Sequence, residues 1–86
     1  MNNKILLEVY VPMLEEEYDV FVPINKKIAN VTRLINEAIV DLSSGSFPLK
    51  KDILLYNRSN GLMLDTKWNV KEAGLVNGSK VILLYI

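Results

Sequence analysis

The chain has no cysteine and no histidine, and its ten Lys and Arg residues are matched by ten Asp and Glu. These absences exclude disulfides, thiolate nucleophiles, iron–sulfur clusters, zinc fingers, Ser-His and Cys-His dyads, and imidazole acid–base catalysis. Balanced charge leaves no basic footprint for nucleic acid or for an anionic membrane surface. Long apolar runs are also missing: the longest, Val81 to Ile86, is six residues, against about 20 needed to cross a bilayer. The amino-terminal run Ile5-Leu6-Leu7 is broken by Glu8 and is too short for a signal peptide. The expectation is a soluble, cytoplasmic protein, for which a cysteine-free chain is suited. No cofactor, no direct membrane insertion and no nucleic-acid partner are expected.

What is present is dense apolar patterning over 86 residues, half of them hydrophobic. A chain of this length buries only about 60% of its unfolded surface, so one domain spanning 1–86 is expected. Ile5, Leu7, Val9 and Val11 alternate with Leu6, Glu8 and Tyr10 over Lys4 to Val11, the period-two signature of a strand. Pro12 ends it, and Pro12 to Glu17 reads as a loop carrying Glu15-Glu16-Glu17. Tyr18, Val20 and Val22 give a second, antiparallel strand before Pro23. An amphipathic helix follows, with Asn25 as the expected N-cap and Ile28, Val31, Leu34, Ile35, Ala38, Ile39 and Leu42 as its apolar face. Asn30, Thr32, Arg33, Asn36, Glu37 and Asp41 fall on the other face, and Ser43-Ser44-Gly45-Ser46 supplies the stop. A second hairpin is expected from Ile53 to Tyr56 and Leu62 to Leu64 around Asn60-Gly61. Asn69 and Glu72 have capping-box spacing, with Val70, Ala73 and Leu75 burying one side of a single turn that Gly74 ends. Asn77-Gly78 turns the chain into a last strand, Lys80 to Ile86. The order predicts an α+β domain, a mixed sheet of about five strands with one helix packed across one face. Adjacent, parallel first and last strands would enclose nearly the whole chain between them.

The segments Tyr18-Asp19-Val20-Phe21-Val22-Pro23 leading into Ile28-Ala29-Asn30-Val31, and Val70 to Ser79 leading into Val81-Ile82-Leu83-Leu84, resemble the ubiquitin-like β-grasp fold across the whole chain. The ending EAGLVNGSKVILL, Glu72 to Leu84, resembles the bacterial YukD/EsaB family of small ubiquitin-like proteins. That resemblance implies a cytosolic accessory or regulatory protein of a type VII (WXG100, Esx) secretion system, acting through protein contacts with secretion-apparatus components.

Other chemistries of β-grasp relatives find little support. Modifiers and sulfur carriers end in a flexible Gly-Gly tail, which can enter an activating enzyme because Gly has no Cβ. Here the chain stops at Leu83-Leu84-Tyr85-Ile86, so conjugation is disfavoured; residues following Ile86 and ending in Gly-Gly would restore it. Ferredoxin-like members need four Cys. RNA binding calls for a basic face with aromatic platforms, and Lys26-Lys27 and Lys50-Lys51 are only pairs. Glu15-Glu16-Glu17 on an extended segment would point to alternate sides without further ligands, so a solvated loop is favoured over a cation site. Trp68-Asn69-Val70 is not the Trp-x-Gly element of secreted Esx substrates, and Trp68 is expected beside the capped turn. No residue is nominated as catalytic or metal-binding, and an enzyme is not expected.

One helix can cover only one side of the sheet. Alternation sends Ile5, Leu7, Val9, Tyr18, Val20, Val22, Val81 and Leu83 toward the helix, and Leu6, Tyr10, Phe21, Ile82 and Leu84 away from it. Glu8, Asp19 and Lys4 are the polar residues expected among the latter. Five large apolar side chains there mark a protein-interaction surface, roughly where the recognition patch of ubiquitin lies. Docking of a partner, closure into a homodimer, or cover by neighbouring side chains and the Pro12 to Glu17 loop would each account for them.

Overall fold

The computed structural model of the chain describes residues 3–45 and 52–85, and of Tyr85 only the backbone. Strand β1 (Lys4–Val11) turns into β2 (Glu16–Pro23), helix α1 spans Ile28–Leu42, and β3 (Ile53–Asn57) and β4 (Ser79–Tyr85) complete the regular elements. The sheet order is β2-β1-β4-β3. β1 runs antiparallel to β2 and parallel to β4, and β3 is antiparallel to β4. The parallel pairing of first and last strands is as expected. Among the described residues the sheet has four strands, not five. Residues 62–64 meet β3 at the isolated Tyr56–Met63 bridge, with the Leu64 amide donating to the Leu55 carbonyl on one side of it. The expected turn between them is present, with the Asn57 amide donating to the Leu62 carbonyl at 2.9 Å.

Alternation decides which sheet residues meet the helix. Leu7, Val9, Val11, Val22 and Val81 are fully buried and Leu83 and Val20 nearly so, while Ile5 and Tyr18 pack partly buried against them. The helix contributes Ile28, Val31, Ile35 and Ile39, and the capped turn contributes Val70 and Leu75. Each large aliphatic side chain so buried contributes about 1.5–3 kcal/mol.

Two helix expectations are corrected. Thr32 and Asn36 lie on the buried side, and Leu34 and Leu42 are exposed. The stripe facing the sheet is 28, 31, 32, 35, 36 and 39, a narrower set centred between the i+3 and i+4 positions. Thr32 tolerates burial because its hydroxyl donates to the Ile28 carbonyl at 2.7 Å. The N-cap is Lys27, without a side-chain cap, and not Asn25. Tertiary structure replaces the cap: the Ile28 and Ala29 amides donate to the Trp68 and Thr66 carbonyls, which satisfies donors that a helix start otherwise leaves open. At the other end Ser44 and Gly45 take φ of +55° and +81°, and the Gly45 amide donates to the Val40 carbonyl at 2.9 Å, which ends the helix. Ser46, Lys50 and Lys51 lie outside the described residues.

The capping box forms as read: the Glu72 amide donates to Asn69 Oδ1 at 2.7 Å and the Asn69 amide to Glu72 Oε1 at 2.9 Å. Asn77 and Gly78 pin the entry of β4 to β1. The Leu6 amide donates to Asn77 Oδ1 and the Gly78 amide to the Leu6 carbonyl, both at 2.7 Å. Gly78 does so with φ of +87°, a conformation costly to any side chain.

Candidate functional site: the outer face of the sheet

The face away from α1 is laid out in rows by the strand registers. Phe21 on β2 stands opposite Leu6 on β1. The next row carries Asp19, Glu8 and Lys80 on β2, β1 and β4. It is continued by Arg58, which follows β3 and whose amide donates to the Lys80 carbonyl at 3.0 Å. The row after that is Glu17, Tyr10, Ile82 and Tyr56, extended by Met63 through its bridge to Tyr56. Leu84 and Leu54 pair beyond it.

The five residues expected here are thus on one face, but unequally open. Phe21 is 62% exposed and Leu84 38%, while Leu6, Tyr10 and Ile82 are half-buried. They do not make one apolar patch. The charged row separates Phe21 and Leu6 from Tyr10, Ile82 and Leu84, and the expectation that Glu8, Asp19 and Lys4 were the polar residues omitted Lys80, Arg58 and Glu17. Lys80 was legible, because it shares the parity of Ile82 and Leu84. Leu54, Tyr56 and Met63 were also missed; they enlarge the apolar part toward the β3 edge.

Among the described residues two ion pairs cross the face. Lys80 Nζ donates to Glu8 Oε1 at 2.8 Å, and Arg58 Nη1 to Glu17 Oε2 at 2.6 Å. The Arg58 side chain spans from the end of β3 to β2, with its guanidinium 4.9 Å from the centre of the Tyr10 ring, a cation–π distance. The hydrogen bond from Arg58 holds the Glu17 carboxyl below the ordinary carboxylate range, and the bond to Glu8 raises the Lys80 ammonium. An open notch of about 310 Å³ lies among Glu17, Arg58, Ser59 and Lys80. These groups are exposed and mutually paired, which suits recognition by contact.

Elsewhere, Glu15 sits in the β1–β2 turn with φ of +53°, and Glu15, Glu16 and Glu17 are all exposed. Trp68, expected to pack beside the capped turn, is 47% exposed. Among the described residues no group of three acidic side chains is placed to hold a metal, and no helix is long and apolar enough to cross a membrane.

No family model matches the chain, and no curated protein matches it. Solved structures do. The EccD5 ubiquitin-like domain from Mycobacterium xenopi is 12% identical, with 99% of this chain and 97% of that one covered and a TM-score of 0.71. The UBL domain of Plasmodium falciparum Dsk2 is 14% identical over 96% and 99% of the two chains, with a TM-score of 0.73. A chain of the toluene 4-monooxygenase HD complex with the inhibitor 4-bromobenzoate is 10% identical over 96% and 99%, with a TM-score of 0.80. At such identities the likeness is one of fold, and together with the strand order and the single covering helix it makes this an α+β chain with the ubiquitin-like β-grasp fold.

Proposed function

We propose that the chain is a non-enzymatic ubiquitin-like interaction module, one domain over residues 1–86, acting in the cytoplasm as an accessory or regulatory component of a bacterial type VII (WXG100, Esx) secretion system. Three observations support this reading: the YukD/EsaB-like segment Glu72 to Leu84, the likeness to the EccD5 ubiquitin-like domain of a type VII secretion component, and the outer face of the sheet. The face carries the argument. Leu6, Tyr10, Phe21, Ile82 and Leu84 are the proposed contact residues, with Leu54, Tyr56 and Met63 enlarging their surface. A partner that covered Tyr10, Ile82 and Leu84 would remove apolar area from water while the charged row fixed its orientation.

The test is genetic and direct. Deletion of the gene in its host should abolish or strongly reduce release of WXG100 proteins without lowering their synthesis, and a plasmid copy should restore it. Undiminished release from the deletion strain would remove the secretion role.

A further inference from the structure

The outer face is electrically divided by strand. Glu17 and Asp19 stand on β2 and Glu8 on β1, whereas Lys80 stands on β4 and Arg58 follows β3. Lys4, at the far end of β1, and the exposed Asp52, which precedes β3 with the parity of Leu54 and Tyr56, are exceptions away from the central rows. Glu8 and Asp19 lie directly opposite one another, an unfavourable pairing of like charges. Lys80 neutralises Glu8, but Asp19 is exposed and has no ion-pair partner among the described residues. Arg58 meanwhile lies over Tyr10 in an exposed pair with Glu17. Water and salt screen such a pair, so it exchanges partners readily.

We propose that a second copy of this chain covers the outer face, sheet against sheet about a two-fold axis parallel to the strands, with Arg58 of each copy leaving Glu17 for Asp19 of the other. The inference rests on reading this face as a docking surface and names an occupant for it. Rotation about that axis carries β2 over β3 and β1 over β4. The charged row then meets its own copy with signs reversed, Asp19 over Arg58 and Glu8 over Lys80. In the next row Tyr10, uncovered as Arg58 departs, meets Ile82. A two-fold axis across the strands would instead lay β2 on β2, carboxylate on carboxylate. Both axes leave the strands of the two sheets aligned, one of the two ways in which sheets pack face to face, so the charges decide between them. Four strands of eight residues or fewer make a face of roughly 19 by 26 Å, toward the small end of specific interfaces. The dimer therefore dissociates on dilution.

Sedimentation of the full chain across a dilution series reads this. The mass should rise from one chain to two with concentration. Asp19→Arg and Arg58→Asp should each stay monomeric where the unaltered chain is dimeric, and an equal mixture of the two variants should recover the dimer, because each restores the charge the other reversed. A single-chain mass at every concentration, variants that dimerise unmixed, or a mixture that stays monomeric would overturn the proposal. Circular dichroism checks that the variants fold. Should either not, amide shifts of the unaltered chain on dilution decide: movement at Leu6, Tyr10 and Ile82 supports the dimer, and movement confined to α1 overturns it. A monomeric chain in a host where the gene is still needed for WXG100 release removes the second copy alone. A dimer with no secretion defect on deletion removes the secretion role alone.

Discussion

Glu15 takes a left-handed backbone conformation, φ +53°, where an L side chain costs about 1–2 kcal/mol. Glycine avoids that cost but loses about 0.5–1 kcal/mol of its own in ordering. Glu15→Gly is therefore expected to stabilise the chain by about 0.5–1 kcal/mol, raising Tm by roughly 4 °C in thermal melts. Arg58 gives a second test at this scale. Because the folded pKa of Glu17 lies below its unfolded value, the pair contributes stability above about pH 4.3 and loses it as pH falls through the lowered folded value. Lys80 has the opposite sign: its folded value is raised, so its contribution holds below about pH 10.4 and is lost as pH rises through that raised value. Melting curves at about pH 6 and about pH 8, both well inside those limits, should coincide. On acidification Tyr10 ring resonances should shift only beyond the ordinary glutamate range, as Arg58 is released; a shift already complete near pH 6 would show that Glu17 is not what holds Arg58 there.

At the scale of elements, burial separates residues that sequence periodicity treats alike. Ile35 and Leu34 both belong to the apolar set of α1, but Ile35 is fully buried and Leu34 is 42% exposed. Ile35→Ala should cost about 2–5 kcal/mol in denaturant unfolding, whereas Leu34→Ala should stay within about 0.5 kcal/mol. Asn69→Ala should cost about 1 kcal/mol through the lost capping box. Local patterns were readable where they were self-contained: strand alternation, the Asn69–Glu72 box and the Asn77-Gly78 turn follow from neighbours in sequence. The start of α1 was not, because its amides are satisfied by carbonyls about forty residues away at Thr66 and Trp68. Likewise Leu62 to Leu64 had the composition of a strand, but only Met63 finds a bridge partner. The outward parity of Leu6, Tyr10, Phe21, Ile82 and Leu84 was legible. That Arg58 reaches across the sheet to Glu17 was not, since it depends on the order in which the four strands assemble.

For the whole molecule, the parallel β1–β4 pair joins nearly the two ends of the described chain, and the one helix occupies one side of the resulting sheet. Core and proposed contact surface are therefore opposite faces of the same strands. Residues of one parity fix stability, and those of the other are available for contact. Leu84 is the place to separate the two, because it lies next to the end of β4, paired only with Leu54 of β3, and is 38% exposed, while its neighbour Leu83 is in the core. The most direct measurement is release of WXG100 proteins from a host whose only copy of the gene carries Leu84→Asp, with the purified variant melted beside the unaltered chain. The expected result is loss of release with Tm changed by no more than a few degrees. Normal release from a host making the folded variant would contradict the assignment of this face as the working surface.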